Sequence, residues 1–312
     1  MNYLNPADID FEKYLAKHPE HANVIPAYAY SESVIDWYYG EKERRGILLP
    51  WSKTHSKIAL RSGEVSVWAG VNGSGKSLLI NQIMLSAISQ GESCVIASME
   101  MRPHITMARM TRQACGNVPP VEFIKKFHEW TEGKLWLYTQ QGTVQSSRML
   151  AVLRYCAEGL LSEGKKIPIR HFVIDSLMKC GIQTDDYNRQ KSFVDELCAH
   201  ARDTGVHIHL VAHARKGDTE RRAVDKFDIK GASEITDQVD NVFTLWRNKD
   251  KEDEAQTPHP SVEIMNEPDA LLRCSKQRHG EWEGKISLWF HRESMQYVGH
   301  SGARAIDFME AA

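Results

Sequence analysis

No stretch of the chain approaches the ~20 consecutive apolar residues that a membrane span needs. The opening residues, MNYLNPADIDFEKYL, lack the basic flank and apolar centre of a secretory leader. Both absences lead to the expectation of a soluble, cytoplasmic protein with no membrane partner. Cysteine is sparse and scattered, with six in 312 residues (Cys94, Cys115, Cys156, Cys180, Cys198, Cys274) and no CxxC pair. That spacing argues against a zinc module or a disulfide framework and leaves reduced, buried thiols as the reading. An excess of one charge is missing too. Lys and Arg total 39 against 41 Asp and Glu, a formal net charge of −2. Any polyanion site must therefore be a local patch and not a property of the whole surface. Internal repeats and low-complexity tracts are also absent.

What is present is an ordinary globular composition, 42% hydrophobic and 26% charged. It suits one large α/β domain, or a domain with a small appendage. Residues 1–57 are polar and aromatic, punctuated by Pro6, Pro19, Pro26 and Pro50, and read as an arm or linker. Within it, residues 32–45 (ESVIDWYYGEKERR) fit a short amphipathic helix, either decoration or an element that docks on a neighbouring subunit. Residues 58–300 read as the main domain and 301–312 as a tail.

From Gly63 onward, apolar runs of strand length alternate with amphipathic helices: EVSVWAG, SCVIASME, KLWLYTQ, RHFVIDS and VHIHLVAH. Helices are expected over 76–89, 101–114, 147–162 and 187–204. This pattern predicts a mostly parallel, twisted sheet with helices on both faces. After Gly231 come NVFTLWR, ALLRCSKQ, KISLWF and MQYVG without helical periodicity between them, which predicts an antiparallel extension of the sheet. The acidic stretch KDKEDEAQTPHP reads as a solvated hairpin loop.

The firmest chemical signal is Gly70, Val71, Asn72, Gly73, Ser74, Gly75, Lys76 and Ser77, followed by Leu78. Every fixed position of GxxxxGK[ST] is matched, with a strand before and a helix after. Glycines let backbone N–H groups turn inward around phosphates, and the helix presents its N-terminus to the anion. Lys76 would reach the β- and γ-phosphates of ATP, or another nucleoside triphosphate, and the Ser77 hydroxyl would ligate Mg²⁺. Asp175 ends the apolar run HFVID, where a carboxylate could hold the same Mg²⁺ through water; the bland alternative is a turn cap.

Hydrolysis also needs a group to orient the attacking water. Ser176, not a Glu, follows Asp175. The candidate is Glu100, at the carboxyl end of the strand after the phosphate loop's helix, where ligands collect in open α/β sheets. Its alternative is an exposed carboxylate opening the next helix. His213 ends VHIHLVAH and could report on the γ-phosphate, although a lone His is more often structural. His207 and His209 read as packing residues.

These pieces occur in one order: GVNGSGKS, SMEM, VIDSLMK, HLVAHARK, KGASEITDQVDNVFTLWRN, KQRHGEWEG. That order resembles the hexameric replicative DNA helicases related to DnaB, the phage primase-helicases and mitochondrial Twinkle, from about Ile58 to Val298. The resemblance implies a RecA-like P-loop NTPase core and a ring, a homo-hexamer in the family, that moves on single-stranded DNA and hydrolyses ATP between subunits. It implies that Lys276 and Arg278, in Lys-Gln-Arg, reach a neighbour's ATP with Arg278 as the finger; read from composition alone they are a charged strand end. It places Arg109 on a helix facing the nucleotide, and Arg247 and Phe290 around the base. The segment after His213 carries Arg215, Lys216, Arg221, Arg222 and Lys230 among Asp and Glu. By itself it is a solvated loop of mixed charge; in the family, equivalent loops grip the strand's phosphates. About sixty residues precede the core, so either priming is expected from a separate primase, with a polymerase or loader as further partners, or the chain is part of a larger one. Two rival readings share the loop: a RecA- or KaiC-like ATPase that does not unwind DNA, and a nucleotide-binding loader or scaffold with slow turnover.

Overall fold

A computed structural model of the chain describes residues 3–15, 26–40, 46–183, 185–214, 228–229 and 235–310. Among these, the strands are β1 (Tyr3–Leu4), β2 (Ile47–Leu48), β3 (Ala59–Leu60), β4 (Val65–Gly70), β5 (Cys94–Ser98), β6 (Leu135–Tyr138) and β7 (Leu160–Ser162). They continue with β8 (Lys165–Ile167), β9 (His171–Asp175), β10 (His207–His213), β11 (Asn241–Arg247), β12 (Ala270–Gln277), β13 (Gly284–His291) and β14 (Gln296–Val298). The principal helices are α1 (Phe11–Leu15), α2 (Ser31–Tyr39), α3 (Lys76–Ser89), α4 (Pro103–Cys115), α5 (Val121–Trp130), α6 (Ser146–Ala157) and α7 (Tyr187–Thr204).

Ten strands form one sheet in the order β1-β6-β5-β9-β10-β4-β11-β12-β13-β14. Pairing is parallel from β1 through β11 and antiparallel from β11 through β14. The register aligns the carboxyl ends of the central strands. Ser98 lies opposite Asp175, and His213 opposite Gly70, so three strands end beside the turn that leaves β4.

Every residue of β4, β5 and β9 is buried, as expected for parallel strands covered on both faces. Alternation divides β4 between two cores. Val65, Val67 and Ala69 join the cluster built with α6 and α7 residues such as Leu153 and Leu197. Trp68 joins the opposite one with Leu79, Ile83 and Met110 from α3 and α4, and stacks on Phe243 at 4.3 Å between ring centroids. Beneath Trp68 lie three buried imidazoles. The Trp68 indole N–H donates to His209 Nδ1 at 3.2 Å, which leaves Nε2 as the protonated nitrogen of a neutral ring. That nitrogen stands 3.1 Å from His171 Nδ1. Burial pushes His171 and His209 well below the usual histidine range, and His207 down to about 4, so this layer is uncharged packing.

Several local expectations change. The antiparallel extension starts one strand later than the sequence suggested, because β11 runs parallel to β4. The stretch after β11 is no hairpin loop. Its residues Lys249–Glu254 form a helix capped by the Asn248 side chain, which accepts from the Lys251 N–H, and a second short helix, Val262–Asn266, follows. Lys251 is 8% exposed and pairs with Asp269 at 2.9 Å, which anchors that helix to the sheet. The helix expected over 147–162 stops at Ala157 and gives way to the β7–β8 hairpin. Helix α5 was not anticipated. In the N-terminal segment α2 spans Ser31–Tyr39, and residues 41–45 lie outside the described residues. Phe308, in the segment read as a tail, is only 2% exposed and joins the α3-side core. Burying one such side chain is worth about 1.5–3 kcal/mol. Among the described residues, no helix is long and apolar enough to cross a membrane.

Candidate functional site

The turn that leaves β4 is shaped by glycine where no other residue fits. Gly73 and Gly75 hold φ of +77° and +91°, the left-handed region that L side chains avoid. A Cβ on Gly70 would lie 2.5 Å from the Leu245 carbonyl oxygen. Gly75 caps α3 without any side-chain hydrogen bond, so the helix opens with N–H groups free to meet an anion. Lys76 folds back inside the loop, and its Nζ donates to the carbonyls of Gly70 and Val71, both at 2.9 Å. The side chain is almost wholly buried, and desolvation pulls its pKa down to about 8 against the opposing pull of Asp175 and Glu100. A cation so held is short of negative charge, which is what a phosphate supplies.

Ser77 donates its hydroxyl proton to Asp175 Oδ2 at 2.7 Å. Asp175 is 6% exposed. Burial raises its pKa, the Ser77 hydrogen bond opposes this, and the neighbouring Glu100 raises it further. A hydroxyl and a carboxylate side by side are the hard oxygen donors Mg²⁺ prefers, completed by phosphate and water rather than by a protein cage. Consistent with that division, no group of three or more His, Cys, Asp or Glu among the described residues could hold a metal by itself. The residues fit the ion: Ser77 and Asp175 would hold it, and bound there it would neutralise charge on the phosphate oxygens.

Glu100 lies two residues beyond the end of β5. The Ser176 hydroxyl donates to its Oε1 at 2.8 Å, and His213 Nε2 stands 3.6 Å from the same oxygen. His213, and then Ser176, hold the Glu100 carboxyl down at about 2. The two carboxylates are thus pushed apart, Asp175 upward and Glu100 downward. Glu100 is ionised, accepts from Ser176 and has His213 beside it, a state suited to orienting water and one it must partly leave to take a proton. His213 Nδ1 is buried without a partner among the described residues.

The far end of the cleft is walled by β11 and β13. Arg247 donates from Nη1 to the Gly73 carbonyl at 3.2 Å and pairs closely with Glu252. Phe290 packs against Tyr297 with centroids 5.4 Å apart, and its N–H donates to Asp269 Oδ2 at 2.8 Å. One cleft of about 740 Å³ joins these parts, lined among others by Asn72, Lys76, Ser77, Leu78, Glu100, Arg109, Asp175, His213, Arg247 and Phe290. The volume is that of a small-molecule site. Residues the sequence did not single out also line it, notably Lys179, Glu252, Asp269, Arg292 and Tyr297. Of the loop itself, Val71 and Ser74 face inward, 6% and 1% exposed.

Two expected catalytic residues are elsewhere. Lys276 donates to the carbonyls of Thr236 and Asp237 at 2.8 and 2.9 Å. Arg278 donates to the Gln238 carbonyl at 2.8 Å and lies 3.4 Å from Asp240 Oδ1. Asp240 in turn accepts from the Val65 N–H, at the start of β4, whereas the phosphate loop leaves from its end. Five residue steps of ~3.3 Å separate those levels by about 17 Å, beyond the reach of an arginine in the same chain. The residues expected to contact nucleic acid, Arg215, Lys216, Arg221, Arg222 and Lys230, lie outside the described residues.

The AAA domain family matches residues 56–219, just over half of the chain. Among solved structures, the ATPase domain of G40P superposes with a TM-score of 0.70 at 14% identity, covering 89% of this chain and 99% of that one. A DnaB-like replicative helicase, solved with its interactions with primase, gives 0.67 at 14% identity over 88% of this chain and 68% of that one. At such identity the likeness concerns the fold. It is the RecA-like fold of helicase ATPase domains, with the mostly parallel sheet and antiparallel C-terminal strands described above.

Proposed function

The chain belongs to the AAA domain family and is an ATP-hydrolysing enzyme on a helicase-type P-loop fold; from that premise we propose that it is the motor of a ring-forming replicative DNA helicase. It acts in the cytoplasm, as a homo-hexamer that translocates on single-stranded DNA and hydrolyses ATP at subunit interfaces. Lys76 and the loop bind the phosphates, with Ser77 and Asp175 on Mg²⁺. Glu100 orients the water, His213 follows the γ-phosphate, and Arg109, Arg247 and Phe290 hold the rest of the nucleotide. Arg278, with Lys276 beside it, completes the site of the next subunit in the ring. A primase, by the likeness to the DnaB-like helicase, and a polymerase or loader are partners in trans.

One observation carries the reading. His213 sits 3.6 Å from Glu100, and only Ala214 separates it from Arg215. A change at the γ-phosphate is thereby passed within two residues to the basic segment Arg215–Lys230, assigned here to the DNA backbone. Substituting both Lys216→Ala and Lys230→Ala is expected to raise the single-stranded DNA concentration for half-maximal ATPase stimulation by roughly tenfold. The salt dependence of that stimulation should weaken by about 1.4 in log–log slope, two phosphate contacts at ~0.7 each. Basal ATP binding should be retained. Normal stimulation in the double variant would remove this segment from the DNA path.

A further inference from the structure

We propose that Tyr297 is a positioning residue of the phosphate-binding loop, fixing the direction of the Ser74–Gly75 peptide; the proposal rests on the reading of 70–77 as the ATP site. Its hydroxyl donates to the Ser74 carbonyl oxygen at 3.3 Å. In a trans peptide the C=O and N–H of one unit point in opposite directions. A Ser74 carbonyl tied to Tyr297 therefore turns the Gly75 N–H away from that wall and toward the hollow of the loop, where a phosphate oxygen would accept from it.

The tie is built to last. The Tyr297 side chain is buried, 4% exposed, and desolvation pushes its phenol up to about 12, so the hydroxyl remains a neutral donor at any ordinary pH. Its backbone is clamped by the helix that carries the loop. Gln82 Nε2 donates to the Tyr297 carbonyl at 2.8 Å, and the Tyr297 N–H donates to Gln82 Oε1 at 2.8 Å. The Trp51 indole N–H reaches the same carbonyl at 2.7 Å. The hydroxyl also occupies the space beside Gly75, where any Cβ would overlap it. The residue after the tied carbonyl thus has two reasons to be glycine, this overlap and its φ of +91°.

Other carbonyls of the loop are held differently. Those of Gly70 and Val71 accept from Lys76 as well as from the Ala214 and Ser74 backbone N–H groups at 3.0 and 3.2 Å, and that of Gly73 accepts from Arg247. Both side chains are cations that an incoming nucleotide would recruit. Tyr297 offers no charge to a phosphate, so its hold on the loop does not compete with the ligand. It keeps the cradle open in the one direction that matters while the cations change partners.

The test is Tyr297→Phe, which removes one oxygen and keeps the ring. Affinities for ADP and AMP would be measured by equilibrium titration of wild type and variant, with melting temperatures alongside. AMP lacks the β-phosphate that the loop is shaped to hold. The expected result is a loss of about three- to tenfold in ADP affinity, the range one neutral hydrogen bond carries, with AMP affinity unchanged. Unchanged ADP affinity would overturn the proposal. Equal losses for both ligands, or a fall in both together with melting temperature, would also overturn it and leave Tyr297 as wall packing only. A wild-type chain that binds neither nucleotide would instead remove the ATP-site reading, and this role with it.

Discussion

Glu100→Gln leaves a protein that binds ATP and hardly turns it over. The amide keeps the shape and can still accept from Ser176, 2.8 Å away, but it cannot take a proton or carry the charge that polarises water. General-base or water-orienting groups contribute about 10²- to 10⁴-fold, so kcat is expected to fall by that range while nucleotide affinity stays within a few-fold. Because His213 and Ser176 hold this carboxyl down at about 2, it is ionised throughout the working range, and Glu100 gives wild type no acid limb above about pH 3. Single-turnover hydrolysis beside equilibrium ATP binding checks the prediction. A variant with near-normal kcat would place the water-orienting group elsewhere.

The second large effect is on nucleotide affinity above neutrality. Burial lowers the Lys76 pKa from the ordinary lysine value of 10.5 to about 8, which corresponds to about 3 kcal/mol held against the charged form. A lowered base is neutral in the folded, ligand-free protein above pH 8, and its burial penalty is largest below pH 8 and gone above 10.5. The phosphate-binding form is the ammonium. Nucleotide therefore restores the higher pKa, and above pH 8 its binding must take up a proton. ADP affinity is expected to fall by up to about tenfold per pH unit from 8 toward 10. Lys76→Met should bind far more weakly and lose that pH dependence. A wild-type profile flat across the interval would mean that Lys76 does not meet the phosphates.

The chemical end of the fold was legible because its signals are local. Gly70–Ser77 between a strand and a helix, and Asp175 closing an apolar run, each announce themselves within about ten residues. Their convergence follows from parallel pairing, which lines up strand ends. The direction of β11 was harder, since strand composition does not encode orientation. The connection from His213 to Asn241 permits the observed direction, because it is long enough for the crossover past β4 that a parallel strand requires. Charge alone reads the acidic helix Lys249–Glu254 as a solvated loop. Its stability comes from the Asn248 cap and the pairing of the buried Lys251 with the half-buried Asp269, partners 18 residues apart in sequence. Tyr297 gave no local signal at all. Its role depends on a loop more than 200 residues earlier in the chain, and the nearest cue was the strand MQYVG. Lys276 and Arg278 are assigned their role in a neighbour's site by resemblance alone, and both are tied to the Thr236–Asp240 segment rather than to the chain's own cleft.

That role is the centre of the account. Steady-state ATP hydrolysis should be measured with and without single-stranded DNA for wild type, Arg278→Ala and graded mixtures of the two. Hydrolysis is predicted to be strongly stimulated by DNA, and activity in the mixtures to fall faster than the wild-type fraction, because each variant subunit disables its neighbour's site. Activity indifferent to DNA and linear in wild-type fraction would leave an ATPase on a helicase fold and contradict the shared-site motor.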